Sequence, residues 1–224
     1  MDILATFMEY YRGSVSAKMG EVALSNLGVL FFDELPHFSK SVLEALREPL
    51  EDNKILISRV NSKILYETKF VFIGAMNPCP CGNLLSSVKE CRCNELEIQR
   101  YKNRLSEPFL DRMDLYVVMN DSFSDNQNRV TSKELHQNVI KAFIKQKNRG
   151  QSELNGKLSD EEIIKYCILD TETKDILEKA RINYQLSFRS VNKVLKVART
   201  IADLNDNELI TKKDLLQSLN FRRR

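Results

Sequence analysis

Gly28-Val29-Leu30-Phe31-Phe32-Asp33-Glu34 is the stretch on which the reading of this chain turns. A short run of bulky apolar residues predicts a buried strand. Two adjacent carboxylates follow it directly. In open α/β sheets, ligands sit beyond the carboxyl ends of strands. One carboxylate there can help hold Mg²⁺ beside a nucleotide's phosphates, and the next can orient the attacking water. The plain alternative is an ordinary acidic turn after a strand.

Working outward, Ser39 is placed to cap a helix with Val42, Leu43, Leu46 and Leu50 on one face and Pro49 near its end. Residues 55–60 and 63–67 flank Asn61-Ser62 and predict a hairpin. Phe70 to Met76 reads as a second buried strand and Leu115 to Met119 as a third. Strands separated by helices suggest an α/β layer with a largely parallel sheet.

Past residue 120 the strand signal fades. Asp121 to Asn128 reads as a linker, Val130 to Lys147 as a helix and Gln151 to Lys157 as a loop. Ser159-Asp160-Glu161-Glu162 resembles a capped, acidic first turn. Thr171 to Asn183, Val191 to Leu204 and Lys212 to Leu219 show amphipathic spacing, the last with Thr211 as its cap. The expected organisation is an α/β domain over residues 1–120 and an all-helical domain over residues 121–224.

Composition bounds the function. The 224 residues are 42% hydrophobic and 29% charged, a globular balance. No apolar run approaches the ~20 residues of a membrane-spanning helix, and the first residues lack the pattern of a secretory signal. Five cysteines, four of them within residues 79–93, do not form a secreted disulfide framework; they point to a reducing, cytoplasmic setting. The net charge of +3 is uneven: residues 1–120 sum to −2 and residues 121–224 to +5. A basic second half suits a polyanion such as DNA, and equally suits a solvated helical surface.

Further candidate residues lie near the strands. Asn77 follows the second strand, where its amide can reach a γ-phosphate or a water; Asn-Pro is also a common turn opener. Leu110-Asp111-Arg112-Met113-Asp114 precedes the third. Arg112 can pair with Asp111 or Asp114 at little energetic gain, or project across a subunit boundary as an arginine finger. Arg189, in Ser187-Phe188-Arg189-Ser190 at the start of a helix, is placed to add charge to a phosphate site, or simply faces solvent. Neither His37 nor His136 has a catalytic arrangement around it; both read as exposed or half-buried helix positions.

In this order these features resemble the C-terminal part of an AAA+ ATPase module. The wording is closer still to the magnesium-chelatase-like branch of ComM and YifB proteins. It includes Gly20 to Pro36, Leu46-Arg47-Glu48-Pro49-Leu50-Glu51-Asp52, Asn77-Pro78-Cys79-Pro80-Cys81-Gly82, Leu105 to Asp114 and Val197 to Leu204. The resemblance covers roughly residues 20–220 and implies an incomplete P-loop-type parallel sheet followed by a helical lid. It implies that Asp33 and Glu34 are the Walker B pair, Asn77 sensor 1, Arg112 the finger and Arg189 sensor 2, with ATP and Mg²⁺ as cofactors. It also implies a homo-oligomeric ring, usually a hexamer. In the ComM branch that ring remodels DNA by branch migration during natural transformation; in the chelatase branch it inserts metal into a porphyrin, for which nothing here marks a partner.

The sequence is expected to depart from the family in two respects. Its 224 residues contain no Gly-x-x-x-x-Gly-Lys-[Ser/Thr] loop to cradle phosphates. Gly150 to Leu158 imitates it but has five residues between its glycines and Leu158 where a hydroxyl is needed. Residues 1–19 do not follow the family either. The expectation is that Met1 begins inside a larger module, through a split gene, an internal deletion or a degraded copy. The polypeptide alone is expected to bind ATP weakly or not at all. A non-catalytic assembly or regulatory subunit that lends Arg112 to a neighbour is the first alternative.

Cys79-Pro80-Cys81 and Cys91-Arg92-Cys93 are two Cys-x-Cys pairs nine residues apart. Four thiolates in one short loop suit a tetrahedral, structural Zn²⁺, although a spacer of one is tighter than the usual two to four. The alternative is four reduced thiols. A zinc-stabilised nucleic-acid-binding module with no nucleotide chemistry is the second functional alternative. Cys167 stands alone and reads as packed core.

Overall fold

The computed structural model describes residues 20–59, 62–119 and 130–222. The expected linker (Asp121 to Asn128), Asn61 of the hairpin turn and residues 1–19 lie outside these. The chain divides into two compact units, Met1–Met113 and Asp114–Arg224.

The first unit is mixed α/β. A short helix α1 (Glu21–Leu24) leads into β1 (Val29–Phe32), and a 3₁₀ turn (Leu35–His37) into α2 (Lys40–Ala45) and α3 (Arg47–Asp52). Then come β2 (Lys54–Arg59), β3 (Ser62–Glu67), β4 (Val71–Gly74), α4 (Glu95–Lys102) and α5 (Glu107–Leu110). β1 and β4 pair in parallel, Val29 opposite Val71 and Phe32 opposite Gly74. β2 and β3 form the expected antiparallel hairpin, Lys54 opposite Glu67.

Ser39 caps α2 through the Val42 N–H, as its position predicted. The single helix expected beyond it breaks at Leu46, which is both the last cap of α2 and the first of α3. Pro49 then falls in the first turn of α3, where a missing N–H costs no helical bond. Val42, Leu43, Leu46 and Pro49 are buried together with Leu30, Phe32, Leu35, Phe109 and Leu110. Phe32 stacks on Phe38 at 4.4 Å and meets Phe72 edge-on at 5.5 Å; Phe72 in turn meets Phe109 at 6.1 Å.

Two strand expectations need correction. β1 is buried on one face only, and in β4 Phe72 alone is half-buried. Leu30 and Phe32 are inside, whereas Val29, Phe31, Val71 and Ile73 are 45–60% exposed. An apolar run marks a strand without saying how many of its faces are covered. Leu115 to Met119 forms no strand. Its apolar content matched a strand, but a strand exists only through a ladder of main-chain bonds. Here the Tyr116 N–H goes instead to the Phe221 carbonyl, and Leu115, Val117, Val118 and Met119 are exposed.

The second unit is helical: α6 (Ser132–Asn148), a 3₁₀ turn (Asn155–Lys157), α7 (Asp160–Tyr166), α8 (Thr171–Asn183), α9 (Phe188–Leu204) and α10 (Lys212–Asn220). Thr131, Ser159 and Thr211 each close a reciprocal capping box with the acidic residue three positions on. Leu158, Ile163, Tyr166, Ala180, Val194, Ala198, Ala202 and Leu215 build its core. Buried Asp203 receives the Arg199 guanidinium at 2.9 Å, a contact with Arg149 and the Asn155 amide at 2.8 Å. No helix among the described residues is long and apolar enough to cross a membrane.

Candidate functional site

Asp33 and Asn77 leave adjacent strands at the same end of the parallel pair. The ladder continues one step past Phe32 and Gly74. The Ala75 N–H donates to the Phe32 carbonyl at 2.8 Å, and the Leu35 N–H donates to the Ala75 carbonyl at 2.9 Å. This brackets Asp33-Glu34 against the start of Ala75-Met76-Asn77. Asp33, Glu34 and Asn77 are all exposed, so their polar groups are available to a ligand.

The turn at Glu34 is strained. Its φ is +51°, a left-handed conformation that costs a side-chain-bearing residue about 1–3 kcal/mol. Two contacts support it. The Glu34 N–H donates to Asp33 Oδ1 at 2.8 Å. His37 Nδ1 lies 3.2 Å from Glu34 Oε2; a carboxylate only accepts, so that nitrogen carries the proton. The strain and both contacts concentrate on the residue whose carboxylate the sequence singled out.

Tyr101, from α4, stands among these groups. It is 6% exposed. Burial raises the pKa of its phenol above the ordinary tyrosine value, the Asn77 main chain opposes this, and the charge of Glu34 adds to the rise. The His37 ring sits edge-on to it at 6.4 Å. Sequence reasoning missed Tyr101 and the use of His37. Asn94, a helix cap followed by Glu97 at the third position, was the available signal for α4.

Arg112 is held within its own unit. Its Nη2 donates to Glu51 Oε2 at 2.6 Å and its Nη1 to the Pro108 carbonyl at 2.6 Å. Its side chain is only 13% exposed. The carboxylate it meets lies 61 positions back in the sequence, a partner that local spacing could not reveal; Asp114 pairs with Lys193 at 3.0 Å. Arg189 belongs to the second unit, in the first turn of α9, and is exposed. Ser187 caps that helix through the Ser190 N–H at 3.1 Å.

The four clustered cysteines converge. Cys79 Sγ lies 3.4 Å from Cys81 Sγ and 3.7 Å from Cys91 Sγ, and Cys81 and Cys91 are 3.6 Å apart. With Cys93, all four sulfurs lie within 4.8 Å of one another. A zinc–sulfur bond of about 2.3 Å requires tetrahedral sulfur–sulfur edges of about 3.8 Å, so the spacing and the donor set fit that ion. The Cys79-Pro80-Cys81-Gly82 turn is closed by the Gly82 N–H on the Cys79 carbonyl at 3.0 Å, with Gly82 at φ +80°. Main-chain N–H groups of Asn83 and Arg92 act on the Cys81 sulfur and hold its thiol down to about 6. Burial pushes Cys93 up to about 12. The main-chain donors at Cys81 and the burial of Cys93 make the thiols unequal, and the charge of Cys79 adds to the rise at Cys93. Cys167 is buried and lies outside the group.

Residues 10–127 match the family model of magnesium chelatase, subunit ChlI, and residues 129–222 match the model of the ChlI C-terminal region. Competence protein ComM of Haemophilus influenzae is 40% identical over 215 residues, which is 94% of this chain and 42% of that protein. The YifB protein of Salmonella typhimurium is 39% identical over 211 residues, 91% of this chain and 40% of its own length. An uncharacterised protein of Mycobacterium bovis is 34% identical over 203 residues, 86% of this chain and 39% of its own length. The chain thus spans about two-fifths of the length of the relatives it matches.

Proposed function

Because this chain belongs to the magnesium chelatase ChlI family and is of ComM/YifB type, we propose that it supplies the catalytic and lid portion of an AAA+ ATPase ring that remodels DNA. The observation that best supports this is the exit of Asp33 and Asn77 from register-paired parallel strands at one end. Such strand ends are where phosphate chemistry is housed in α/β folds. The charge of Glu34 and the main chain of Asn77 also act on one phenol, Tyr101. The residues fit the Mg²⁺ side of a nucleotide: hard carboxylate oxygen from Asp33, a second carboxylate from Glu34 and an amide from Asn77. A bound Mg²⁺–ATP would supply the phosphoryl group and neutralise its charge. Glu34 would orient the attacking water, Asn77 would hold it or the γ-phosphate, Arg112 would serve a neighbouring subunit and Arg189 would close from the lid.

The 224 residues carry no phosphate cradle, so the chain alone binds ATP weakly. The ComM relative is a competence protein, and DNA taken up during competence is the substrate we assign. A homo-hexameric ring in the cytoplasm is the assembly this reading requires. The four cysteines would hold one structural Zn²⁺, since four protein ligands leave no open position. If the nucleotide reading fails, that centre favours a zinc-stabilised DNA-binding module.

The test is to mix the chain with a polypeptide bearing a Gly-x-x-x-x-Gly-Lys-[Ser/Thr] segment of the same family and to measure ATP hydrolysis with and without branched DNA. Hydrolysis that needs both polypeptides and is abolished by Glu34→Gln supports the proposal. Micromolar ATP binding by the chain alone, or a mixture that is inactive despite forming a complex, overturns it.

A further inference from the structure

We propose that the four-cysteine centre is a positioning device for Asn77: when it holds a thiophilic divalent cation, Zn²⁺ by donor set and spacing, it fixes the tip of β4 that faces the nucleotide site. This inference rests on the zinc reading above and assigns that ion a task beyond closing its own loop.

Asn77 is tied to the centre from two directions. On one side only Pro78 separates it from Cys79, and Pro80 separates Cys79 from Cys81, so the connecting chain has two ring-locked φ angles. The knuckle then folds back onto the Asn77 side chain. A Cβ at Gly82 would stand 3.9 Å from Asn77 Cγ and 4.0 Å from its Oδ1. Glycine is needed there for its φ of +80°, and this brings the turn to contact distance of the amide.

On the other side Cys93 precedes Asn94, the cap of α4, and the capping box of Asn94 and Glu97 sets where that helix begins. Tyr101 lies two turns further along α4. It is buried, and the Asn77 main chain acts on its phenol. The constraints therefore form a closed circuit: Asn77, Cys79 and Cys81, the metal, Cys91 and Cys93, α4, Tyr101 and back to Asn77.

The metal is the link most easily lost. Between Ala75 and Asn94 there is no helix or strand. The hydrogen bonds that cross from one cysteine pair to the other involve sulfur, including that from the Arg92 N–H to Cys81. Without the ion the segment regains the conformational freedom of an open loop. The start of α4 is then no longer tied through the ion to the end of β4, and Tyr101 beside the Asn77 main chain remains as the link between them.

The experiment is hydrogen–deuterium exchange, read by mass spectrometry, on the full chain loaded with one Zn²⁺, on the same chain after chelation, and after Zn²⁺ is added back. The expected result is at least tenfold faster exchange of the Ala75, Met76 and Asn77 amides on chelation, reversed by Zn²⁺. The β2–β3 hairpin and α7 should stay unchanged. Tyr101→Phe should retain Zn²⁺ and yet exchange several-fold faster at Asn77 in the loaded state. Cys91→Ser/Cys93→Ser should copy the chelated chain; if that variant fails to fold, the chelation and add-back arms decide on the wild-type molecule. Stoichiometric Zn²⁺ with exchange at 75–77 equal in both states overturns this inference while leaving the zinc reading intact. Exchange that rises alike in the hairpin overturns it too, because the ion would then be holding the whole unit. A chain that binds no Zn²⁺ overturns both.

Discussion

The guanidinium of Arg112 donates to the carboxylate of Glu51 at 2.6 Å, joining two positions 61 residues apart. An arginine that acts on a neighbour's nucleotide has to be presented at the right angle. Glu51 and the Pro108 carbonyl occupy two of its donors and leave fewer conformations for the rest. With a phosphate-loop partner present, Arg112→Ala should reduce ATP turnover by about 10³-fold or more. Arg112→Lys should not restore it, since a point charge does not replace the planar fork. Glu51→Gln should stay within a few-fold of wild type. Equal loss in Glu51→Gln and Arg112→Ala would show that the pair is architectural and that Arg112 is not a finger.

Glu34 and Asn77 should separate binding from chemistry. In the assembled module Glu34→Gln keeps nucleotide affinity and lowers kcat by about 10²-fold or more, the range expected for a residue that works on the reacting water. Asn77→Ala should also lower kcat with little change in KM. A variant of either residue that raised KM alone would place that side chain in ground-state binding.

The cysteines should divide into two classes. Protein purified without chelator should carry about one Zn²⁺ per chain, and any single serine variant among Cys79, Cys81, Cys91 and Cys93 should lose most of it. Cys167→Ser should not. Burial pushes the Cys167 thiol up to about 11, so at neutral pH it should resist alkylation in the folded chain while the chelated cluster reacts. A zinc-to-protein ratio near zero would count against the metal reading.

Asp214 makes the second unit acid-sensitive. Burial opposes its charge, but donors from Asn205, Thr211 and Asn207 outweigh that and hold its carboxyl below the ordinary aspartate value. A depressed folded-state value means stability that is complete above the unfolded-state value of about 4 and is lost as pH falls through the folded-state value. Asp214→Ala removes the buried acceptor that those donors share and should cost about 1–3 kcal/mol at pH 7, measured by urea unfolding followed at helical wavelengths. The difference between wild type and variant should shrink below pH 4. A difference that persists undiminished at pH 2 would assign the effect to packing.

Part of the order of elements was legible from residue types, because local rules govern it, although the helices Glu95–Lys102 and Glu107–Leu110 were not read. An apolar run followed by Asp33-Glu34, a serine ahead of a periodic helix at Ser39, the hairpin around residue 61 and the capped helices after residue 130 all depend on neighbours within a few positions. That Cys79, Cys81, Cys91 and Cys93 share one short loop was legible for the same reason; that their sulfurs meet within 4.8 Å is set by the fold of that loop. Tertiary structure decided what depends on partners distant in sequence. Leu115 to Met119 had the composition of a strand and no ladder to join. Val29 and Phe31 matched a buried strand yet remain exposed on one face. Arg112 found Glu51, Glu34 took a left-handed turn braced by Asp33 and His37, and Tyr101 came to rest against Asn77. Periodicity records which side chains prefer to be dry; only the folded chain determines which of them meet.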